Sequence, residues 1–244
     1  VAIVAGSARN IGRATAEELA RAGASIIINA VQAKDLCIEV AEGICADGGK
    51  AIPILADCSD PDAIERMVQT AILQFGGIDI LVHNAAVRQR KSFDELSRAD
   101  FQKVIDLSIL GCFHLAKACV PSMRERGGGT IIGVGGLNSY LGQKGRSHLM
   151  VAKAGLNQYI RGLALDLAED GITANQVVVG PYDTRDPSSS MMAEQVAARI
   201  ATIPVLREGL PQDMADLIRF LVGPGGRFIT GQTIHSNGGA FMNP

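Results

Sequence analysis

The segment from Ala5 to Arg13, AGSARNIGR, places glycines and a basic side chain between an apolar run and an amphipathic stretch. Glycines at a strand-to-helix turn let the backbone approach a pyrophosphate, which the free N–H groups and the dipole of the helix amino terminus then stabilise. Gly6 and Gly12 therefore indicate phosphate or dinucleotide binding. The same two glycines also suit a tight turn without a ligand, so the surrounding elements must decide between the two interpretations.

Short apolar runs alternate along the chain with longer amphipathic stretches. The runs predict strands at Val1 to Ala5, Ser25 to Asn29, Ala51 to Leu55, Ile78 to His83, Thr130 to Val134, Thr173 to Val179 and near Gln232 to His235. The stretches predict helices at Ile11 to Arg21, Ala33 to Ala46, Pro61 to Gln74, Arg98 to Arg126 and Leu149 to Glu169. This alternation is typical of a parallel sheet with helices on both faces. We expect a single α/β domain over residues 1–244, with a doubly wound, seven-stranded parallel sheet.

The charge balance excludes some classes of partner. The chain has 244 residues, of which 47% are hydrophobic and 20% charged, and a formal net charge of -2. Such a balance offers no broad attraction to nucleic acid or anionic lipid, and the densest basic cluster, Arg88, Arg90 and Lys91, is interpreted as a solvated loop. No run of about 18 apolar residues is present to span a bilayer. We therefore predict a small-molecule substrate, with neither nucleic acid nor membrane as partner.

The five cysteines, Cys37, Cys45, Cys58, Cys112 and Cys119, are an odd number without CxxC spacing. No histidine pairs with them in a pattern typical of metal ligands, so no metal site is predicted. Free thiols of this kind favour a reducing, cytoplasmic location. The chain begins at Val1 without an initiator methionine, which leaves room for a preceding leader.

Five segments together resemble the short-chain dehydrogenase/reductase family, and its 3-oxoacyl-acyl-carrier-protein reductases in particular, across the whole chain. They are the turn GSARNIGRA with Asn10 where the middle glycine is usual, Asp57 after the third strand, HNAA at residues 83–86 where the family has NNAG, the stretch from Val178 to Thr184, and the tail from Ile229 to Gly239. The resemblance implies a Rossmann fold and a nicotinamide cofactor. The cofactor contacts that it assigns are Gly6, Arg9, Asn10, Ile11, Gly12, Asn29, Asp57, Cys58, Asn84, Ala85, Lys153, Gly180 and Thr184.

The end of the second strand bears on the choice between NAD and NADP. Members that prefer NAD carry an acidic residue there for the ribose hydroxyls, whereas this chain has Asn29, Ala30 and Val31. Arg9 lies in the glycine-rich turn, where a guanidinium suits the adenosine 2'-phosphate of NADP. We predict that NADP(H) is favoured over NAD(H). The alternative interpretation of Arg9 is a solvated turn residue.

The catalytic positions depart from the family. Its lysine is retained as Lys153, but its serine falls at Gly136, its tyrosine at Leu149 and its helix asparagine at Ser108. The tyrosine hydroxyl normally exchanges a proton with the substrate oxygen, and the hydrocarbon side chain of Leu149 cannot. We therefore predict a degenerate site in which Lys153 and Ser108, through a held water, are the candidate catalytic groups.

Four other side chains offer a proton near these positions. Tyr140 and Tyr182 are candidates for lining the substrate cleft, and His83 and His148 occupy positions where the family has asparagine. Adjacent residues on a helix point about 100° apart, so His148 would not occupy the place of the missing hydroxyl. A packing or surface role is expected for each tyrosine and for His148, and the two histidines are the first residues to test for non-redox chemistry.

Two functions remain open from the sequence. The first is an NADP(H)-dependent oxidoreductase of a carbonyl or alcohol substrate with an atypical proton relay. The second is a non-redox or inactive member that binds a nucleotide as a regulatory or scaffold subunit. Hydrolytic catalysis is disfavoured because no GxSxG elbow occurs.

The resemblance also predicts a cleft and an assembly. Residues 88–93, 138–141 and 183–192 are expected to form the cleft, with a lid at about 183–205 that includes Pro187 and the serines 188–190. The two long helices are expected to form a four-helix dimer interface, and the tail at Phe241 and Met242 a second contact. The predicted assembly is a homotetramer.

Overall fold

The strands form where the apolar runs lie, because these side chains need cover on both faces of a sheet. In a computed structural model that describes residues 1–185 and 193–242, they are β1 (Ala2–Ala5), β2 (Ser25–Ala30), β3 (Lys50–Leu55), β4 (Ile80–His83), β5 (Gly129–Gly136), β6 (Ile172–Val179) and β7 (Thr233–Ser236). All four residues of β1 and the four central residues of β2 are buried. The predicted strands are confirmed to within a few residues at their ends.

The sheet has seven strands in the order β3-β2-β1-β4-β5-β6-β7, and every pair is parallel. Val4 of β1 pairs with Ile28 of β2 on one side and with Val82 of β4 on the other. The strand order therefore reverses direction beside β1. In open parallel sheets a crevice opens at such a reversal, at the carboxyl ends of the strands, and ligands bind there.

Helices cover both faces of this sheet. They are α1 (Asn10–Arg21), α2 (Lys34–Ala46), α3 (Pro61–Phe75), α4 (Arg98–Ile105), α5 (Gly111–Glu125), α6 (Asn138–Leu141), α7 (Ser147–Asp166), α8 (Ala193–Ile200) and α9 (Pro211–Val222). One hydrophobic cluster gathers α1, α2 and α9 through Leu19, Val40 and Ile218. The other gathers α3, α5 and α7 through residues such as Leu115 and Leu156. The single, doubly wound α/β domain is thus confirmed.

Helix α9 was not predicted, although its sequence carries helix signals. Pro211 occupies the first turn, Asp213 accepts a hydrogen bond from the Leu210 N–H, and Met214 and Ile218 are fully buried one turn apart. The helix packs against α1, where the buried Glu18 carboxylate pairs with Arg21 and with Arg219 of α9. The ion pair with Arg219 joins the two helices, and its carboxylate is buried while its guanidinium is partly exposed.

The long helix predicted from Arg98 to Arg126 contains a π-helical turn, Asp106–Leu110, between α4 and α5. From Arg98 to Glu125 the helix is long and apolar enough to cross a membrane by length and composition, but 44% of that apolar window is buried inside the protein. Core helices that pack on a sheet share this composition. The segment packs against α3 and α7, and this packing accounts for its apolar side chains.

The predicted lid is only partly described. Asp183 to Arg185 connect to β6, and α8 follows from Ala193. Pro187 and the serines 188–190 lie outside the described residues, so the lid itself stays a prediction.

Candidate active site

The glycine-rich turn between β1 and α1 has the backbone shape that its residues allow. Gly6 and Asn10 have positive φ angles of 72° and 50°, a region that glycine adopts freely and asparagine tolerates. A side chain at Gly12 would place its Cβ 2.2 Å from the Gly6 carbonyl oxygen. Asn84 Nδ2 donates to that same carbonyl at 2.8 Å and holds the turn against the end of β4. Asn10 thus replaces the usual glycine without changing the turn.

The amino terminus of α1 is open at this turn. Arg9 is the N-cap residue, and its side chain forms no capping hydrogen bond. The first N–H groups of a helix lack partners within the helix, so a phosphate beside Asn10, Ile11 and Gly12 would satisfy them. Arg9 is exposed and pairs with no carboxylate in the described part of the chain. The turn therefore fits a dinucleotide in shape and in charge.

Three predicted cofactor contacts lie at the ends of β2 and β3. Asn29 is buried, accepts from the Gly6 N–H at 3.2 Å and donates to the carbonyls of Ile54 and Ala56. Its side chain therefore braces the strand ends. Cys58 is also buried, and burial raises the pKa of its thiol to about 12. Asp57 is half-buried, and one of its oxygens accepts from the Ser59 N–H and hydroxyl.

A cleft of about 740 Å³ opens at the carboxyl ends of the strands. It runs from the turn to the segment after β6, and the described residues that line it include Ile11, Asn84, Arg88, Arg90, Gly136, Asn138, Ser139, Leu141, Gln143, Arg146, Leu149, Lys153, Gly180, Tyr182, Thr184, Arg185 and Arg199. Parts of all three segments predicted to form the cleft therefore meet in one cavity.

Lys153 projects from α7 into this cleft. Its Nζ donates to the Val134 carbonyl at 2.7 Å, which anchors the ammonium at the end of β5. Burial, and then the positive charge of Arg88, lower the pKa of Lys153 to about 8. Leu149 lies one helical turn earlier and Gly136 at the end of β5, and both line the cleft. Of these three residues, only Lys153 has a side chain that can carry a proton.

Ser108 lies in the π turn and is not among the residues that line the cleft. The carbonyl oxygen of Ser108 accepts a hydrogen bond from His83 Nε2 at 3.2 Å. A π turn leaves a carbonyl outside the regular helical ladder, and the histidine at the end of β4 uses it. Burial, and then the charge of Lys153, lower the pKa of His83 to about 3, so the ring stays neutral. A catalytic part for Ser108 stays a prediction.

The two candidate tyrosines have hydrogen-bond partners, whereas the Nδ1 atom of the buried His148 has none among the described residues. Tyr182 lines the cleft, but its hydroxyl lies 2.5 Å from Ser236 Oγ, and burial raises its pKa. The Tyr140 hydroxyl accepts from Asn157 Nδ2 at 3.2 Å, and its ring packs edge-on against His235. His148 is buried and does not line the cleft. These positions agree with the packing roles expected for them.

The segment after β6 closes the cleft. Gly180 packs so tightly that a Cβ there would lie 2.4 Å from Asn237 Cβ, and Thr184 Oγ1 accepts from Arg88 at 3.2 Å. Reasoning from the sequence missed Arg146 as a cleft residue. Arg88 and Arg90 were interpreted as part of a solvated loop and also fall in the segment 88–93 predicted to form the cleft; both are exposed and line this cavity. Within the described ranges, no group of three or more His, Cys, Asp or Glu side chains is placed to hold a metal ion.

Comparison with known proteins agrees with this geometry. The family described as enoyl-(acyl carrier protein) reductase matches residues 5–240. A 3-oxoacyl-[acyl-carrier-protein] reductase of Synechocystis sp. is 34% identical over 243 residues, covering 99% of this chain and 97% of that protein. A second such reductase, from Vibrio cholerae, is 32% identical over 242 residues, with coverage of 99% and 97%.

Solved structures show the same likeness. A dehydrogenase/reductase from Sinorhizobium meliloti has a TM-score of 0.91 at 34% identity, covering 99% of this chain and 94% of that one. A variant of a Serratia marcescens short-chain dehydrogenase/reductase has a TM-score of 0.89 at 30% identity, with coverage of 98% and 96%. Sheet order and turn define a Rossmann-type α/β protein. The chain belongs to the short-chain dehydrogenase/reductase family of oxidoreductases and is similar to its 3-oxoacyl-acyl-carrier-protein reductases.

Proposed function

We propose that this protein is an NADP(H)-dependent oxidoreductase that interconverts a carbonyl and an alcohol, with Lys153 carrying the proton. One observation supports this most directly. Among the described residues that line the cleft, Lys153 is the titratable side chain whose pKa, at about 8, lies closest to neutrality. A general acid or base works best when its pKa lies near the working pH.

The residues present fit a nicotinamide dinucleotide. The open amino terminus of α1 suits the pyrophosphate, and Asn84, Gly180 and Thr184 are the proposed contacts further along the cleft. Ala85, the other predicted contact in this segment, is not among the described residues that line the cleft. When bound, the nicotinamide would supply or accept the hydride. Lys153 would orient the adjoining ribose and, with no tyrosine beside it, face the substrate oxygen itself.

In the direction of reduction, the ammonium of Lys153 would donate a proton to the developing alkoxide. The Val134 carbonyl holds the amine in place, and the positive charge of Arg88 makes the ammonium a stronger acid. Leu149 places a hydrocarbon side chain in this part of the cleft and supplies no proton. The relay through Ser108 and a held water is the longer route, since Ser108 does not line the cavity.

The preference for NADP(H) is supported by Arg9. Its guanidinium is exposed at the turn and has no carboxylate partner among residues 1–185 and 193–242. No acidic residue stands at the end of β2, where Asn29, Ala30 and Val31 lie. A 2'-phosphate bound beside the turn and the end of β2 would be attracted by the Arg9 guanidinium and would not be repelled by an acidic residue among Asn29, Ala30 and Val31.

The relatives support carbonyl reduction as the reaction, because their names describe reductases of 3-oxoacyl groups on acyl carrier protein. The alternative, a nucleotide-binding subunit without redox activity, is favoured by Leu149 and Gly136 alone and has no support from these relatives.

We propose a cytoplasmic homotetramer. The five cysteines are free, and apolar side chains such as Leu110 and Val151 remain exposed on the long helix and α7.

The experiment compares wild type with Lys153→Met for NADPH binding by calorimetry and for NADPH oxidation over a panel of ketones and diketones. We expect measurable wild-type turnover that falls by roughly 10² to 10⁴ in the variant. NADPH binding without turnover of any substrate by wild type would favour the regulatory alternative. Wild-type rates retained by Lys153→Met would contradict the part assigned to this lysine.

A further inference from the structure

The cleft carries an excess of positive charge beyond Lys153. Arg88, Arg90 and Arg146 all line it, and none forms an ion pair with a carboxylate in the described part of the chain. Arg185 and Arg199, which also line the cleft, differ from them because their charges are balanced by Asp183 and Glu208. The unbalanced charge is therefore concentrated on one set of three guanidinium groups.

Two loops bring these arginines together. The Lys91 N–H donates to the Gly145 carbonyl at 3.0 Å, so Arg90 and Arg146 each directly adjoin this hydrogen bond. Gly145 has a φ of +75°, and a Cβ there would lie 3.3 Å from the Lys91 carbonyl oxygen. The contact between the loops is thus a close backbone contact that only glycine allows without strain.

The carboxylate that pairs with Lys91 at this contact is already engaged. Asp100 accepts from Lys91 Nζ at 2.7 Å and from the Ser97 N–H at 3.1 Å. These contacts cap α4 and leave Arg90 without the carboxylate. Among the described residues, Arg88 donates to the neutral Thr184 hydroxyl at 3.2 Å and pairs with no carboxylate.

Arg146 shows the cost of this arrangement most clearly. Its Nε is buried and has no hydrogen-bond partner in the described part of the protein, and Gln143 Oε1 beside it in the cleft is in the same condition. Burial, followed by the positive charges of Arg90 and Arg88, lowers the pKa of Arg146. Buried donors and like charges held together are unfavourable unless a ligand satisfies them.

We infer that Arg88, Arg90 and Arg146 bind an oxoanion of the substrate, so that the carbonyl compound carries a carboxylate or phosphate beside an apolar portion. Guanidinium groups match either oxoanion through two parallel hydrogen bonds. Leu137, Leu141, Leu149 and Met150 line the same cleft and suit the apolar portion. This inference rests on the proposed function in one respect, because it takes the bound anion to be part of the oxidoreductase's substrate. Binding of an anion at the three arginines does not depend on that function.

The experiment measures binding to the NADPH-loaded protein by calorimetry. A keto acid, 2-oxoglutarate, tests the carboxylate source, dihydroxyacetone phosphate tests the phosphate source, and 2,3-butanedione is the neutral probe. We expect at least one anionic probe to bind at least tenfold more tightly than the neutral one. Arg146→Gln and the exposed Arg90→Gln should each weaken the binding of that probe roughly tenfold or more. Arg66→Gln, an exposed arginine on α3, is the matched control and should change nothing.

Each outcome decides something. Equal affinity for neutral and anionic probes, or no binding of either anion at millimolar concentration, would overturn the inference. If Arg146→Gln weakens the binding of NADPH as much as the binding of the probe, the arginines belong to the cofactor site, which would also overturn the inference. Anion binding that depends on Arg146 without turnover would leave the anion site standing while the oxidoreductase proposal fails. If neutral ketones are turned over at a rate that Arg146→Gln does not change, and no anion binds, the oxidoreductase proposal stands and the anion site fails.

Discussion

Leu149 and Lys153 lie one helical turn apart on α7 and line the same cleft, so the retained lysine faces the substrate space across a hydrocarbon side chain. Lys153 is held there by the Val134 carbonyl. On this face of α7, Lys153 can carry a proton and Leu149 cannot. The chemistry that remains depends on how far Lys153 compensates.

Restoring the missing hydroxyls should raise the rate of carbonyl reduction. A Cβ added at Gly136 meets nothing within 4 Å, so Gly136→Ser has room, and Leu149 already lines the cleft. We expect Leu149→Tyr with Gly136→Ser to increase kcat for a reactive diketone by roughly 10² to 10⁴. Stopped-flow measurement of NADPH oxidation checks this. Leu149→Phe with Gly136→Ser supplies the ring without the hydroxyl and should show no gain.

The wild-type rate of reduction should fall as pH rises through about 8, because the pKa of Lys153 is lowered to about 8 and only its ammonium can donate. The charge of Arg88 is the second cause of that shift, after burial. Arg88→Gln should therefore move the midpoint of the kcat profile to higher pH. A profile that does not change through this range would show that another group carries the proton.

NADPH should bind more tightly than NADH by roughly 10- to 100-fold, and Arg9→Ala should remove most of the difference. The reason is that Arg9 is exposed beside the open end of α1 and has no carboxylate partner in the described residues. Calorimetric titration of both cofactors measures it. Arg66→Ala on α3 serves as control, and equal affinities in wild type would refute the preference for NADP(H).

His83 should make the fold sensitive to acid. Its folded-state pKa is lowered to about 3 from 6.5, so below pH 6.5 the unfolded chain gains a proton that the native chain does not. Stability should therefore be lost as pH falls, by up to about 1.4 kcal/mol for each pH unit between these values. Urea denaturation at about pH 7.5 and pH 5 tests this. His83→Asn keeps a donor for the Ser108 carbonyl, and its free energy of unfolding should fall markedly less over the same pH interval.

The exposed faces of the long helix and α7 should form the dimer interface. Leu165 on α7 is 82% exposed, as is Leu73 on α3, so the two leucines form a matched pair. Leu165→Glu should weaken the tetramer in sedimentation velocity because it places charge in a buried interface, whereas Leu73→Glu should not. A wild-type monomer at micromolar concentration would count against the assembly.

Local sequence determined the elements and the turn. Apolar runs, helix periodicity and glycines at strand-to-helix junctions depend on neighbouring residues, so they predicted all seven strands and the turn around Gly6 and Gly12. Helix α9 was missed although Pro211, Met214 and Ile218 follow the same rules. The assignment of the family's serine and tyrosine positions to Gly136 and Leu149 stays a prediction, although both residues line the cleft.

Only the tertiary structure decided which side chains share a space. Asn29 suits a ligand contact by its position, but its buried side chain bonds to three backbone groups in two other segments, the glycine-rich turn and the end of β3. The π turn at Ser108 provides a carbonyl to which a distant residue, His83, donates a hydrogen bond. Arg90 and Arg146 become neighbours through the hydrogen bond between Lys91 and Gly145. Contacts such as these join residues far apart in the chain, and no local pattern records them, because the packing of the whole sheet brings the loops together.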